Sequence, residues 1–292
     1  MLKKRFSFRI LVIFLLALSM VSQPVLADEV NEYEETANRM IPYEVVHSGL
    51  PYDIQIIDNY IDQGTIGISI DRFASEKVKL MITKDGTNYT YDLQQNGSFE
   101  FFPFQLGDGL YRVDILENTT GNSYRYVRRL TYEVMLEDTN SVYLQPMQYN
   151  DWTYNKEFME WVDELTESAD SNEEIIQVLY DHLVENFGYD YDKAATVTPG
   201  YLPDLSLALD EQIGICYDYS AIYSAALRYK GIPTKLIKGY TTHVNGYHAW
   251  NEVLTDEGWV TVDVTVDAFY DVHNMAYEFE KDSSDYQTVN YY

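Results

Sequence analysis

The single cysteine of this chain, Cys216, lies in the stretch GICYDYSAIYSAALRYKGIP. His248 follows in GYHAWNEV and Asp263 in WVTVDVT. A thiol, an imidazole and a carboxylate in that order can serve as a nucleophile, its base and the group that orients the base. Cys216 would attack a carbonyl carbon to form a thioester. His248 would take the thiol proton and pass it to the leaving amine, while Asp263 would fix the imidazole tautomer. The same three side chains are also metal ligands, but no CxxC or HxxxH pair accompanies them, so neither a metal nor a cofactor is expected. The remaining histidines, His47, His182, His243 and His273, lack comparable company.

Elements that would bring the three together are readable from the pattern. Tyr219, Ile222, Tyr223, Ala226 and Leu227 repeat at helical spacing, and Gly231-Ile232-Pro233 then stops the helix. Cys216 is thus expected at a helix N-terminus, where the macrodipole favours a thiolate and free N–H groups can hold an oxyanion. Gly214 would leave that approach open. Residues 247–254 alternate, 255–258 form a turn and 259–264 alternate again, which predicts a hairpin. In the expected register Leu254 faces Trp259, Trp250 faces Asp263 and His248 faces Thr265. His248 and Asp263 are then diagonal neighbours on one face. Trp250 would shield the pair from water and Asn251 would point into the interior. Tyr217 and Tyr247, with other tyrosines nearby, are candidates for a peptide-binding wall. Asp218 and Glu252 are candidate supporting groups.

Gly214-Ile-Cys216, Gly231-Ile-Pro233, His248-Ala-Trp250-Asn-Glu252-Val253 and Trp259-Val-Thr-Val-Asp263-Val-Thr265 together resemble the core of the transglutaminase-like superfamily. Val264 stands where that family usually has proline. The resemblance covers about residues 175–268. It implies an α+β, papain-like fold with Cys216, His248 and Asp263 as a catalytic triad. It leaves the reaction open, because the superfamily includes cross-linking acyltransferases, cysteine proteases, deglycosylating amidases and inactive members.

The rest of the 292 residues divides by composition. Residues 1–27 read as a signal peptide: Lys3, Lys4, Arg5 and Arg9, an apolar run over 10–20, and small residues before a cleavage point near Ala27. Losing that stretch, which has four bases and no acid, takes the net charge from −27 to −31. A surface this acidic repels nucleic acid. Residues 28–41 read as a flexible spacer. Residues 42–138 carry short alternating runs separated by turns, which predict an all-β immunoglobulin-like sandwich. Residues 139–154 read as a linker and 155–292 as the catalytic domain. In that domain helices are expected over 155–168 and from about Asn172 to Gly188, with a loop over 201–213 that includes one helical turn over 205–209. The tail beyond Tyr270 is expected either to add a last strand or to stay partly unstructured.

An exported acyl-transfer enzyme acting on protein or peptide, with cell-surface substrates included, is the leading expectation. A cysteine protease or amidase cutting protein or cell-wall peptides is the alternative within the same chemistry. A surface binding protein whose β region does the work is the alternative outside it. No anchor is expected to remain in the membrane once the leader is removed.

Overall fold

The computed structural model describes residues 53–292. The expected signal peptide, the spacer and the first residues of the β region lie outside the described residues. Residues 55–134 form two antiparallel sheets. One has the order β1 (Gln55–Ile57), β2 (Thr65–Ser69), β5 (Glu100–Pro103). The other runs β4 (Thr87–Asp92), β3 (Val78–Lys84), β6 (Gly109–Thr120), β7 (Ser123–Val134).

The expected alternation is what these strands bury. Val78, Leu80 and Ile82 point inward from β3, and Tyr111, Val113 and Ile115 from β6. β3 and β4 are joined by a two-residue turn, Asp85-Gly86, in which both residues have positive φ, the backbone that such hairpins demand. Tyr91 of β4 and Phe102 of β5 meet across the two sheets with ring centroids 4.9 Å apart.

Residues 139–154 are more than a tether. They carry a 3-10 turn, Ser141–Leu144, and bury Val142, Tyr143, Met147, Tyr149 and Trp152. Gln148 donates to the Phe101 carbonyl from its backbone and to Glu100 from its side chain. Asn150 donates to Ser224 of the helix that starts at Cys216, 2.9 Å away. The segment is therefore glued to both of its neighbours.

The C-terminal region begins with α1 (Lys156–Leu165), which Asn155 caps by accepting the Phe158 N–H. α2 (Asn172–Asn186) follows. Ser171 caps it by accepting the Glu174 N–H. Ile176, Leu179, Leu183 and Val184 form its buried face, with Ile175 half-buried beside them. The two-stranded parallel pair β8 (Gly188–Tyr189) and β9 (Ile213–Gly214) brackets two short helices, α3 (Tyr191–Thr196) and α4 (Leu205–Glu211). α5 (Cys216–Tyr229) comes next and is almost wholly buried. It packs on an antiparallel sheet of order β12 (Gly258–Val262), β11 (His248–Thr255), β10 (Thr234–Thr241), β13 (Tyr286–Tyr291). Asn251 faces the interior and donates to the Ser220 carbonyl of α5 and the Lys235 carbonyl of β10. The tail does supply a strand, β13, which pairs with β10.

One helix corrects the expected hairpin. β12 stops at Val262, and α6 (Val264–Val272) begins where the strand was expected to continue. Val264, Thr265 and Val266 are β-branched and disfavour helix. Here their burial against the rest of the domain outweighs that preference, and Asp263 accepts the Val266 N–H to start the first turn. Among the described residues no helix is long and apolar enough to cross a membrane.

Candidate active site

Cys216 is the first residue of α5, with Ile215 as the extended N-cap. The N–H groups of Cys216 and Tyr217 have no carbonyl to bond within the helix, as in any first turn. Asp218 sets this start. Its Oδ2 accepts the Ile215 N–H at 2.8 Å and lies 3.2 Å from Lys193 Nζ, while Tyr201 donates to Oδ1 at 2.5 Å. A side chain on Gly214 would fall 2.6 Å from Asp218 Cβ and 3.0 Å from Oδ2. The glycine therefore makes room for Asp218. The expectation that it clears the approach to the thiol is corrected.

His248, at the start of β11, is 4% exposed and Asp263 is fully buried. His248 Nε2 and Asp263 Oδ2 are 2.9 Å apart. The turn is as expected, with Leu254 opposite Trp259. The ladder, however, ends at Asn251 and Val262, so Trp250–Asp263 and His248–Thr265 are not strand pairs. Asp263 meets His248 from a helix cap, its Oδ1 holding the Val266 N–H and its Oδ2 the imidazole. Burial alone would lower the pKa of His248. The charge and hydrogen bond of Asp263, joined by those of Cys216, overcome that and push it up to about 10. With Nε2 taken by Asp263, Nδ1 is the nitrogen left for the thiol.

Sequence reasoning missed Tyr286, on β13. Its hydroxyl donates to Asp263 Oδ2 at 3.0 Å. Trp250 is buried, lies near-parallel to the His248 ring at 6.2 Å, and packs on Tyr286 at 5.0 Å. The one available hint was the expectation that the tail could add a last strand, which did not show what that strand would touch.

Cys216 and His248 share the wall of a cavity of 480 Å³. Tyr247 lines it, as do Tyr189 and Tyr191. Gly214, Tyr217 and Trp250 do not. Tyr217 turns inward, its ring 3.6 Å from Lys238 Nζ, and Tyr149 and Tyr292 enclose the same ammonium at 4.2 and 5.2 Å. Its expected place in a substrate wall is thus corrected. Burial lowers the pKa of Lys238 to about 7 against the opposing charge of Cys216. Glu252 pairs with Lys235 at 2.8 Å and takes no part in the cavity. His243 and His273, set aside in the sequence, do line it. Among the described residues no group of three or more His, Cys, Asp or Glu is placed to hold a metal.

Residues 159–264 match the family model described as the transglutaminase-like superfamily. The matched stretch, a little over a third of the chain, contains Cys216, His248 and Asp263. The transglutaminase-like match thus starts in α1, earlier than the sequence motifs, and ends one residue after Asp263, so Tyr286 lies outside it. Solved structures that match the chain include a candidate cysteine protease from Cytophaga hutchinsonii. It is 15% identical, with 78% of this chain and 86% of that one covered and a TM-score of 0.39. The periplasmic domain of TgpA from Pseudomonas aeruginosa, bound to ethylmercury, is 19% identical, with 73% of each chain covered and a TM-score of 0.35. Red sea bream transglutaminase is 12% identical, with 69% of this chain and 48% of that one covered and a TM-score of 0.31. No curated protein matches the chain.

Proposed function

We propose that this protein is an exported acyl-transfer enzyme of transglutaminase type, acting on protein or peptide amides, with Cys216, His248 and Asp263 as its catalytic residues. The observation that carries the reading is the 2.9 Å contact of His248 Nε2 with Asp263 Oδ2, at a cavity wall shared with a thiol on a helix start. Cys216 gives its proton to His248, and its sulfur adds to the amide carbon. The N–H groups of Cys216 and Tyr217 receive the developing oxyanion. The C–N bond breaks as His248 protonates the departing nitrogen, leaving a thioester. An amine, deprotonated by His248, then takes the acyl group and restores the thiol. We read the two sheets of residues 55–134 as an immunoglobulin-like sandwich that braces this domain.

Water is the second acyl acceptor to weigh, which would make the protein a cysteine protease or amidase. It is favoured by one feature: no carboxylate lines the cavity to gather a cationic amine. Incubation with a glutamine peptide and a labelled amine separates the two. Incorporation of label that disappears in Cys216→Ala supports transfer. Release of free acid without incorporation supports hydrolysis. Neither product, with a thiol no more reactive than free cysteine, would leave a binding protein.

A further inference from the structure

The cavity beside Cys216 has an unusual lining for this chain. Charged residues make up 23% of the sequence, yet no Asp, Glu, Lys or Arg lines it. Its rim is apolar and open to solvent: Tyr191 is 65% exposed, Tyr247 52%, Phe269 45% and Val272 70%. Val244, on the turn before β11, joins them. Large apolar side chains gathered around one concave mouth mark a surface that binds something apolar. The rim comes from three separate parts of the chain, namely α3, the turn before β11, and α6. A cavity of 480 Å³ is within the range that holds a small ligand or a bulky side chain with its neighbours.

We propose that this cavity receives an uncharged, bulky apolar or aromatic side chain adjoining the amide that Cys216 attacks, so that the substrate is an apolar peptide segment. The proposal rests on the acyl-transfer reading for the reacting group, and on the lining for the class of substrate. A charged side chain entering here would lose water and find no Asp, Glu, Lys or Arg to pair with, the one raised imidazole, His248, being already held by Asp263. An apolar one would lose only unfavourable hydration and cover the exposed rim. The polar groups at the mouth, His243, Asn245 and His273, suit hydrogen bonds to peptide amides.

The test is alkylation of Cys216 in the full chain by N-acetyl amino-acid chloromethyl ketones carrying Phe, Leu, Asp or Lys side chains. In each, the thiolate displaces chloride and a thioether forms. Second-order rates are divided by those of the same probes on free cysteine. The Phe and Leu probes are expected to react at least tenfold faster than the Asp and Lys probes. Val272→Asp is expected to cut the Phe-to-Asp ratio at least fivefold, and Val272→Lys to raise the relative rate of the Asp probe. Equal normalised rates for the four probes, or a preference for Asp or Lys, would overturn the proposal. So would a preference untouched by both substitutions. An apolar preference retained in a protein that turns over no amide would uphold the cavity's specificity and count against acyl transfer alone.

Discussion

Tyr286 and His248 share one oxygen of Asp263: the phenol donates to Oδ2 at 3.0 Å and the imidazole lies 2.9 Å from the same atom. The carboxylate is thereby pinned from two sides, while its other oxygen is held by the backbone of α6. Such a carboxylate has little freedom to swing away from the ring. Tyr286→Phe keeps the ring against Trp250 and removes only the hydroxyl. Because a hydrogen bond to a charged group contributes about 1.5–3 kcal/mol, kcat/KM is expected to fall by about tenfold or more. Steady-state kinetics on a glutamine peptide check this. An unchanged rate would assign the hydroxyl a structural role only.

Asp263→Asn tests the other side of the same pair. In the native protein the imidazolium persists to about pH 10, because Asp263 and Cys216 outweigh burial. Without the carboxylate's charge, burial dominates and the proton leaves at lower pH. The alkaline limb of Cys216 alkylation is expected to move downward, and turnover to fall by about a thousandfold or more, as when other triads lose this group. The sign for stability follows. A raised His pKa stabilises the fold below the unfolded value near 6.5, and that contribution fades as pH rises toward 10. The substitution is expected to cost more stability at pH 6 than at pH 10, as measured by urea unfolding.

Lys238 gives the opposite sign. Its pKa falls from 10.5 to about 7 in the fold, so the unfolded chain holds more protons between those values and native stability rises with pH across that window. The penalty is complete below pH 7. Lys238→Met retains a flexible apolar stem among Tyr149, Tyr217 and Tyr292. The change in Tm, variant minus native, is expected to be more positive at pH 6 than at pH 10. A difference independent of pH would show that the amine carries no such burden.

Arg228 is the mechanical counterpart. It is 2% exposed, and its guanidinium donates to the carbonyls of Thr234, Gln145 and Tyr292. One side chain thus joins α5, the 139–154 connector, the entry to β10 and the residue after β13. Arg228→Met removes three hydrogen bonds from a charged donor, at roughly 1.5–3 kcal/mol each, although the Tyr292 carbonyl keeps the Leu236 N–H. A loss of about 3 kcal/mol or more is expected from the shift in urea midpoint. A variant as stable as the native protein would mean that water or the backbone replaces those bonds.

The parts of the site that could be read in advance are those with local rules. Glycine, cysteine and then a helical period place Cys216 at the start of α5. The Asp256-Glu257-Gly258 turn sets Leu254 opposite Trp259. Each signal spans a few residues. The parts that could not be read depend on packing. Val264-Thr265-Val266 reads as strand because its side chains are β-branched, and only its buried surroundings make it α6. Tyr217 looks like a wall residue from its place beside Cys216, but helical geometry turns it toward Lys238. His243 reaches the cavity from the turn before β11 and His273 from the end of α6, and no sequence period links them. Tyr286 is distant in the chain from every group it serves.

That distance has a consequence for synthesis. A ribosome that has just delivered Asp263 has already made the sulfur, the ring and the acid, but none of β13, which must still emerge and zip onto β10. Until it does, one flank of β10 stays bare and Trp250 lacks the phenol that covers it. The nascent polypeptide is therefore built in an order that leaves the finished chemistry to the end.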